Sequence, residues 1–391
     1  MSRSLPGVLD TRIVVHPAGV IAILAVLAAG ALALAWGWPG ALVFAIVIGV
    51  ALLVAVATIL RPVHFEVEVT TDQPRVVVGT VSVARVEVTA GTRGSPPAVI
   101  DVPVGSATAS FLVPRLGPRE QFSEPFLIPT TRRQVLELGP ATAVRSDALG
   151  LLSRDTVLSG SERIYVHPRT VLPAYDATGL LHDVEGVRSS ALSPADISFH
   201  ALRDYAPGDD RRHVHWPSSA KAGKLVVRQF EQTRRSAHLV VIDLRRDAYE
   251  DEAAAELALG MGASYGVEAV LNDRDIMLRC GDEVMPSATP MRLLDAVTTR
   301  EFVDAGESLP ELVHAAVQAM PHASACTIIT GTRLDDEEVL RATRALPLSA
   351  TGLVLRATTD GRIVRKRLGG AVQFTCSSLE QLRRVSAAVL A

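Results

Sequence analysis

The sequence predicts a multi-domain chain: an N-terminal transmembrane helical hairpin, an antiparallel β-sandwich and an α/β, doubly wound domain. Three observations carry that expectation. Ile13 to Leu60 contains no Asp, Glu, Lys or Arg. Between His64 and about Pro168 apolar and polar residues alternate with period two, as in half-buried strands. From Ala237 onward strand-like apolar runs alternate with helical ones, the texture of a mostly parallel sheet.

The charge-free stretch divides at Trp36-Gly-Trp-Pro-Gly40. The flanking runs, 18–35 and 41–60, are each close to the ~20 residues that cross a ~30 Å hydrocarbon core. Pro39 and Gly40 break the helix where a hairpin reverses, and Trp36 and Trp38 suit a membrane interface. Residues 1–61 are therefore the expected anchor, with lipid as its first partner. Arg3 and Arg12 precede the run and Arg61 follows it. The positive-inside rule then puts the soluble domains on the cytoplasmic face of the cell (inner or plasma) membrane. If the first run were a cleaved signal ending at Ala33-Leu-Ala35, the second would act as stop-transfer and the same side would follow.

Residues 62–170 read as a sandwich of six to eight strands, among them His64 to Thr70, Val81 to Val88, Ala98 to Val104, Glu124 to Ile128, Gln134 to Leu138 and Ala141 to Val144. Residues 171–236 form a linking segment. Residues 237–391 begin with a fully apolar strand, His238 to Asp243, and an Ala-rich helix, Glu252 to Leu271. No GxGxxG or GxxxxGK[ST] motif follows that strand, which argues against dinucleotide and P-loop nucleotide binding. A formal charge of −3 gives no pull toward nucleic acid. Cys280, Cys326 and Cys376 are odd in number, far apart and set in apolar runs, which reads as reduced core thiols.

The most distinctive stretch lies in the linking segment. Phe199 to Trp216 and the following residues contain Leu202, Arg203, Tyr205, Gly208, Asp209, Arg211, Trp216, Ser219, Ala220 and Lys221 at the spacing L-R-x-Y-x-x-G-D-x-R-x-x-x-x-W-x-x-S-A-K. This resembles the signature of bacterial domain-of-unknown-function family 58. Arg132 to Pro140, Ser146-Asp-Ala-Leu-Gly-Leu-Leu152 and Ile164 to Pro168 are similar to further stretches of that family. The resemblance implies a von Willebrand factor A-like fold for the last domain. It also implies association with a MoxR-type AAA+ ATPase, often alongside a transglutaminase-like membrane protein.

Read physically, Pro207-Gly-Asp-Asp210 is a turn, with Gly208 permissive and the Asp209 and Asp210 side chains able to bond nearby N–H groups. Arg203, Asp204, Asp209 and Arg211 can close a salt-bridged knot with Trp216 packed beneath it, and a structural role suffices. The other reading is an exposed docking surface that includes His215 and Lys221.

Three chemistries have candidate residues in the sequence. The resemblance implies a D-x-S-x-S metal motif after the first strand, but the residues are Asp243-Leu-Arg-Arg-Asp247, with Arg245 in the place of a hydroxyl. Gly331 stands where a later aspartate is expected. The expectation is a degenerate site at Asp243, Arg245 and Asp247 that holds no metal. His213 and His215, two apart on a strand beside Asp209 and Asp210, supply too few co-facial ligands for zinc. Ser218-Ser-Ala-Lys221 satisfies S-x-x-K, but the companion S-D-N and K-T-G motifs of Ser-Lys hydrolases are missing around it. The function expected is a non-catalytic, cofactor-free membrane-tethered scaffold. A metal-dependent ligand-binding module and a Ser-Lys hydrolase are its rivals.

Overall fold

The computed structural model describes residues 11–60, 65–173, 197–206, 214–232 and 237–389. The chain divides into two compact units, Met1–Arg169 and Thr170–Ala391.

In the first unit a short strand, β1 (Thr11–Val15), leads directly into two helices, α1 (Pro17–Trp36) and α2 (Pro39–Ile59). Each begins with proline at a first-turn position, where the missing N–H costs nothing, and Gly37 ends α1 in the left-handed region at φ 61°. Both are long and apolar enough to cross a membrane. Their apolar side chains face outward: Leu34 is 89% exposed and Leu53 70%. A helix serving as the core of a soluble domain would bury such residues.

Ten further strands follow in this unit: β2 (Phe65–Thr71), β3 (Arg75–Val77), β4 (Ser82–Ala90), β5 (Ala98–Val104), β6 (Ala107–Val113), β7 (Gln121–Ile128), β8 (Gln134–Leu138), β9 (Thr142–Ser146), β10 (Leu152–Val157) and β11 (Glu162–His167). They form a three-stranded sheet, β2-β4-β7, and an eight-stranded sheet running β1-β10-β9-β5-β8-β11-β3 with β6 on β5. Alternate residues of both sheets, such as Val67, Val86 and Val88 on one and Ile100, Val102 and Ile164 on the other, share one apolar core. The strands exceed the six to eight expected. β3, at three residues, is too short for alternation to register, and β6, with Ala107, Thr108 and Ser110, shows little apolar contrast.

The second unit opens with an antiparallel hairpin, β12 (Ile197–Asp204) and β13 (Val226–Gln232), enclosing helix α3 (Trp216–Ala222). Next come β14 (His238–Ile242), α4 (Glu252–Leu271), β15 (Ile276–Cys280), β16 (Glu283–Val284), α5 (Pro290–Thr298), α6 (Leu309–Ala319), β17 (Ala325–Gly331), α7 (Asp336–Arg344), β18 (Thr351–Ala357), β19 (Arg365–Leu368), β20 (Ala371–Cys376) and α8 (Leu379–Val389). The seven-stranded sheet has the order β16-β15-β14-β17-β18-β20-β19. Its five central strands are parallel and both edge strands antiparallel. Val240 and Ile242 of β14 point to one face, where α4, α5 and α8 pack, while Leu239 and Val241 point to the other, covered by α6 and α7. Strands buried on both faces read as continuous apolar runs, which is why β14 and β17 carry them. Cys280, Cys326 and Cys376 are all buried free thiols.

The strand order reverses between β14 and β17. In open parallel sheets of this kind the crevice beyond the carboxyl ends of the strands at that reversal is where ligands bind.

Candidate functional site

Asp243 follows β14 at the reversal point and is fully buried. Its backbone N–H donates to the Ile329 carbonyl at 2.9 Å, and its own carbonyl accepts the Tyr249 hydroxyl at 2.5 Å. The carboxylate is held mainly by one neighbour, Arg245. Arg245 donates to Oδ1 from its backbone N–H at 3.0 Å and from Nε at 3.1 Å, and to Oδ2 from Nη2 at 2.8 Å. Thr330, at the end of β17, adds a hydroxyl to Oδ2 at 3.2 Å.

The same Nη2 of Arg245 lies 2.9 Å from Glu338 Oε1, in the first turn of α7, and that oxygen also accepts the Leu309 N–H at the start of α6. One guanidinium thus ties β14 to α7, and the carboxylate it meets there reaches α6. The hydrogen bond to Asp243, helped by both carboxylate charges, raises the Arg245 pKa above the ordinary arginine range against the desolvation that burial imposes. Burial, together with the Asp243 charge, pushes the Tyr249 hydroxyl well above its usual value and keeps it a neutral donor.

This donor set does not fit a divalent cation. A hard cation needs several oxygen ligands with free lone pairs. Here the Asp243 carboxylate is bonded to a guanidinium, which brings its own positive charge to the position and also engages Glu338. Asp247 lies exposed in a 3-10 turn, Arg246–Ala248, and none of these bonds involves it. Gly331 cannot be an aspartate for a steric reason: a Cβ there would stand 2.0 Å from the Ala248 carbonyl oxygen. Among the described residues no group of three or more His, Cys, Asp or Glu is placed to hold a metal ion.

Two further charged groups close the same edge of the sheet. Arg356, inside β18 and 5% exposed, donates to the carbonyls of Gly331 and Thr332 at 3.0 Å each, to that of Leu334, and to Asp336 at 2.6 Å. Glu250 accepts hydrogen bonds from the hydroxyls of Thr332, Thr358 and Thr359. The Thr332 hydroxyl first, with the Thr359 N–H and the Thr358 and Thr359 hydroxyls, lowers its pKa against the effect of desolvation. The loops after β14, β17 and β18 are thereby stitched together by charge-assisted hydrogen bonds, which are roughly twice as strong as neutral ones.

In the signature segment the structure separates roles that one motif had pooled. Ser219 is buried and structural: its hydroxyl donates to the His215 carbonyl at 3.0 Å and accepts the Val226 N–H at 2.9 Å, pinning α3 to β13. His215 is the N-cap of α3, its Nδ1 2.8 Å from Ser218 Oγ. Lys221 is exposed in the last turn of that helix. Asp204 pairs with Lys224 at 2.6 Å on the surface, a contact the motif did not suggest. Tyr205 N–H donates to the Leu225 carbonyl at 2.9 Å. Trp216 is 67% exposed at the first position of α3, so it does not pack beneath a knot as expected. Arg203 falls on β12. Gly208, Asp209, Asp210, Arg211 and His213 lie outside the described residues.

Sequence reasoning found Asp243 and Arg245 but missed Glu338, Thr330, Glu250 and Arg356. Arg356 carried a signal, a single charge in an otherwise apolar parallel strand. Glu338 carried none, because its helix shows three acids in succession, Asp336, Glu337 and Glu338, and nothing distinguishes the third.

Comparison with known proteins agrees with the resemblance. Residues 201–290 match the family model described as "Protein of unknown function DUF58". The chain is 25% identical over 146 residues to the uncharacterized protein YeaD of Bacillus subtilis (strain 168), covering 35% of this chain and 36% of that one. The match therefore spans about a third of the relative's length. Among solved structures, the CARDB domain of PF1109 from Pyrococcus furiosus is 19% identical, covering 27% of this chain and 93% of that one, with a TM-score of 0.21. The sporulation control protein Spo0M of Bacillus subtilis is 12% identical, covering 36% and 59%, with a TM-score of 0.17. Overlaps this poor carry no argument about fold or function. Through the segment from residue 201 to residue 290, this chain is similar to the DUF58 family.

Proposed function

We propose that this chain is a non-catalytic membrane-tethered scaffold or adaptor that docks partner proteins, a MoxR-type AAA+ ATPase first among them. A transglutaminase-like membrane protein is the second partner the resemblance implies, in complex assembly or envelope-related work. The observation that carries the reading is Arg245 bridging Asp243 and Glu338 at the sheet's reversal point. Where a ligand or metal would bind, the protein has supplied its own cation, which leaves a rigid surface suited to contact and not to chemistry.

The finer architecture belongs to the same proposal. Two sheets around one core support a β-sandwich in the first unit, and a parallel sheet with helices on both faces supports a von Willebrand A-like domain in the second. The exposed apolar hairpin supports a membrane anchor, and Arg3, Arg12 and Arg61, which flank it in the sequence, support a cytoplasmic location. A soluble ATPase reaches partners only there. Affinity purification from membranes tests the partner: co-recovery of a AAA+ ATPase is expected, and its absence at full recovery of the bait counts against the scaffold.

A hydrolase is the second reading, favoured by one observation. His215 Nδ1 sits 2.8 Å from Ser218 Oγ, within the reach a general base needs. The same Nδ1 accepts the Ser218 N–H at 3.4 Å as the N-cap of α3, a structural use of the ring. Labelling by a serine-reactive fluorophosphonate that disappears in Ser218→Ala would favour the enzyme over the cap.

A further inference from the structure

β19 is the last strand of the seven-stranded sheet, bonded to β20 on one side and, among the described residues, to no strand on the other. Its backbone alternates between the two. The Val364 carbonyl accepts the Thr375 N–H at 3.0 Å, so residue 364 and every second residue after it turn their polar backbone groups toward β20. Arg365 and Arg367 therefore present their N–H and C=O groups to the open side. Residues 361–367 are all exposed, Ile363 to 43% and Val364 to 52%. The opposite edge of the sheet offers no such row: β16 has two residues, and Glu283 already pairs with Arg300.

The side chains along this edge carry one sign of charge. Between Arg362 and Arg367 stand Arg362, Arg365, Lys366 and Arg367, with no acid among them. In register with Phe374 and Val372, Arg365 and Arg367 share the face that α8 covers, and the Arg365 guanidinium lies 5.7 Å from the centroid of the Phe374 ring. Lys366 falls on the other face, where Asp336 neutralises it at 2.6 Å. Neither Arg365 nor Arg367 has an ion pair among the described residues.

We infer that the β19 edge is a docking strand for an extended acidic segment of a partner protein, with a carboxylate at every second residue. The added strand bonds the backbone of Arg365 and Arg367 and sets its acids against their guanidiniums, as cross-strand pairs of opposite charge. The run of like charge keeps two copies of β19 from pairing with each other and leaves the edge to an acidic strand. A row of backbone donors and acceptors fits a peptide, which brings the matching row, better than a nucleic acid, which brings none. The inference goes beyond the scaffold reading: it concerns the sheet's edge, not its reversal point, and holds whether or not the partner is an ATPase.

The test titrates the full chain in detergent with a short fluorescein-labelled peptide of alternating glutamate and threonine, reads binding by anisotropy and maps it by hydrogen exchange. Binding that weakens as salt rises is expected, with exchange slowed at the Arg365 and Arg367 amides and unchanged at Lys366, which faces β20. Arg365→Gln with Arg367→Gln should weaken binding about tenfold, the worth of two cross-strand charge pairs. Arg365→Lys with Arg367→Lys should keep most of it, which separates lost charge from lost folding. The same peptide methylated at every backbone nitrogen keeps its charge but cannot add as a strand, and should not bind. Equal affinity for the methylated peptide reduces the contact to charge attraction and overturns the docking strand. Undiminished binding to the glutamine variant overturns the site. Protection of the same amides by an oligonucleotide, by phosphatidylglycerol vesicles or by a second copy of the chain, with none from the peptide, gives the edge another occupant and overturns the proposal as well. None of these readings involves the ATPase, so its failure to co-purify leaves the edge standing.

Discussion

Arg245 Nη2 lies 2.8 Å from Asp243 Oδ2 and 2.9 Å from Glu338 Oε1, so a single guanidinium neutralises a fully buried carboxylate and joins it to a helix. Such a pair is costly to break from one side only, because the remaining charge stays buried.

Arg245→Met should therefore lower stability by about 3–5 kcal/mol, and the double variant with Asp243→Asn should recover much of the loss. Chemical denaturation of the two variants checks this. An additive pair would show that the contact is not coupled.

Calorimetry with Mg²⁺ on the wild-type chain should show no stoichiometric binding, because the carboxylate lone pairs already face Arg245. Tight one-to-one binding would require that salt bridge to open and would revive the metal-dependent module.

Gly331→Ala should be severely destabilising, on the order of 3 kcal/mol or more, because its Cβ would meet the Ala248 carbonyl at 2.0 Å and backbone cannot rotate away. Ser219→Ala should cost about 1–3 kcal/mol by stranding the buried Val226 N–H, whereas Ser218→Ala should cost less than half of that. Melting temperatures rank the three.

His238 is buried at the start of β14, its Nε2 2.9 Å from Thr327 Oγ1. Burial first, and the Arg274 charge second, lower its pKa from 6.5 to about 3. Below pH 6.5 the unfolded chain takes up a proton that the folded chain refuses until about pH 3. Stability should thus fall with pH across that window, by up to about 1.4 kcal/mol per unit from this residue. Denaturation midpoints at pH 7 and pH 5 measure the slope, and His238→Gln should flatten it.

Much of the fold could be read from the chain because the strong periodicities carry tertiary meaning. Residues 252–271 form the helix their Ala-rich pattern indicates, and β5 and β8 keep the limits that alternation gives them. The edge strands were not legible: Arg365-Lys366-Arg367 of β19 looks like a solvated charge run, and such charge is how edges avoid pairing. β1 was hidden because Thr11–Val15 reads as the approach to an anchor and gains strand character only through β10. At the candidate site the local half, Asp243 with Arg245, was visible within three residues. The distant half, Glu338, depends on α7 docking across the reversal point and leaves no mark in its own stretch of sequence.

The central claim is docking without chemistry, and one experiment reaches it most directly. The full chain is purified from native membranes under gentle detergent, with the bound proteins identified and the bait exposed to a fluorophosphonate probe. The scaffold reading predicts a co-purifying AAA+ ATPase, retained in Ser218→Ala, and no probe labelling. Full recovery of the bait with no ATPase, together with labelling that Ser218→Ala abolishes, would contradict it.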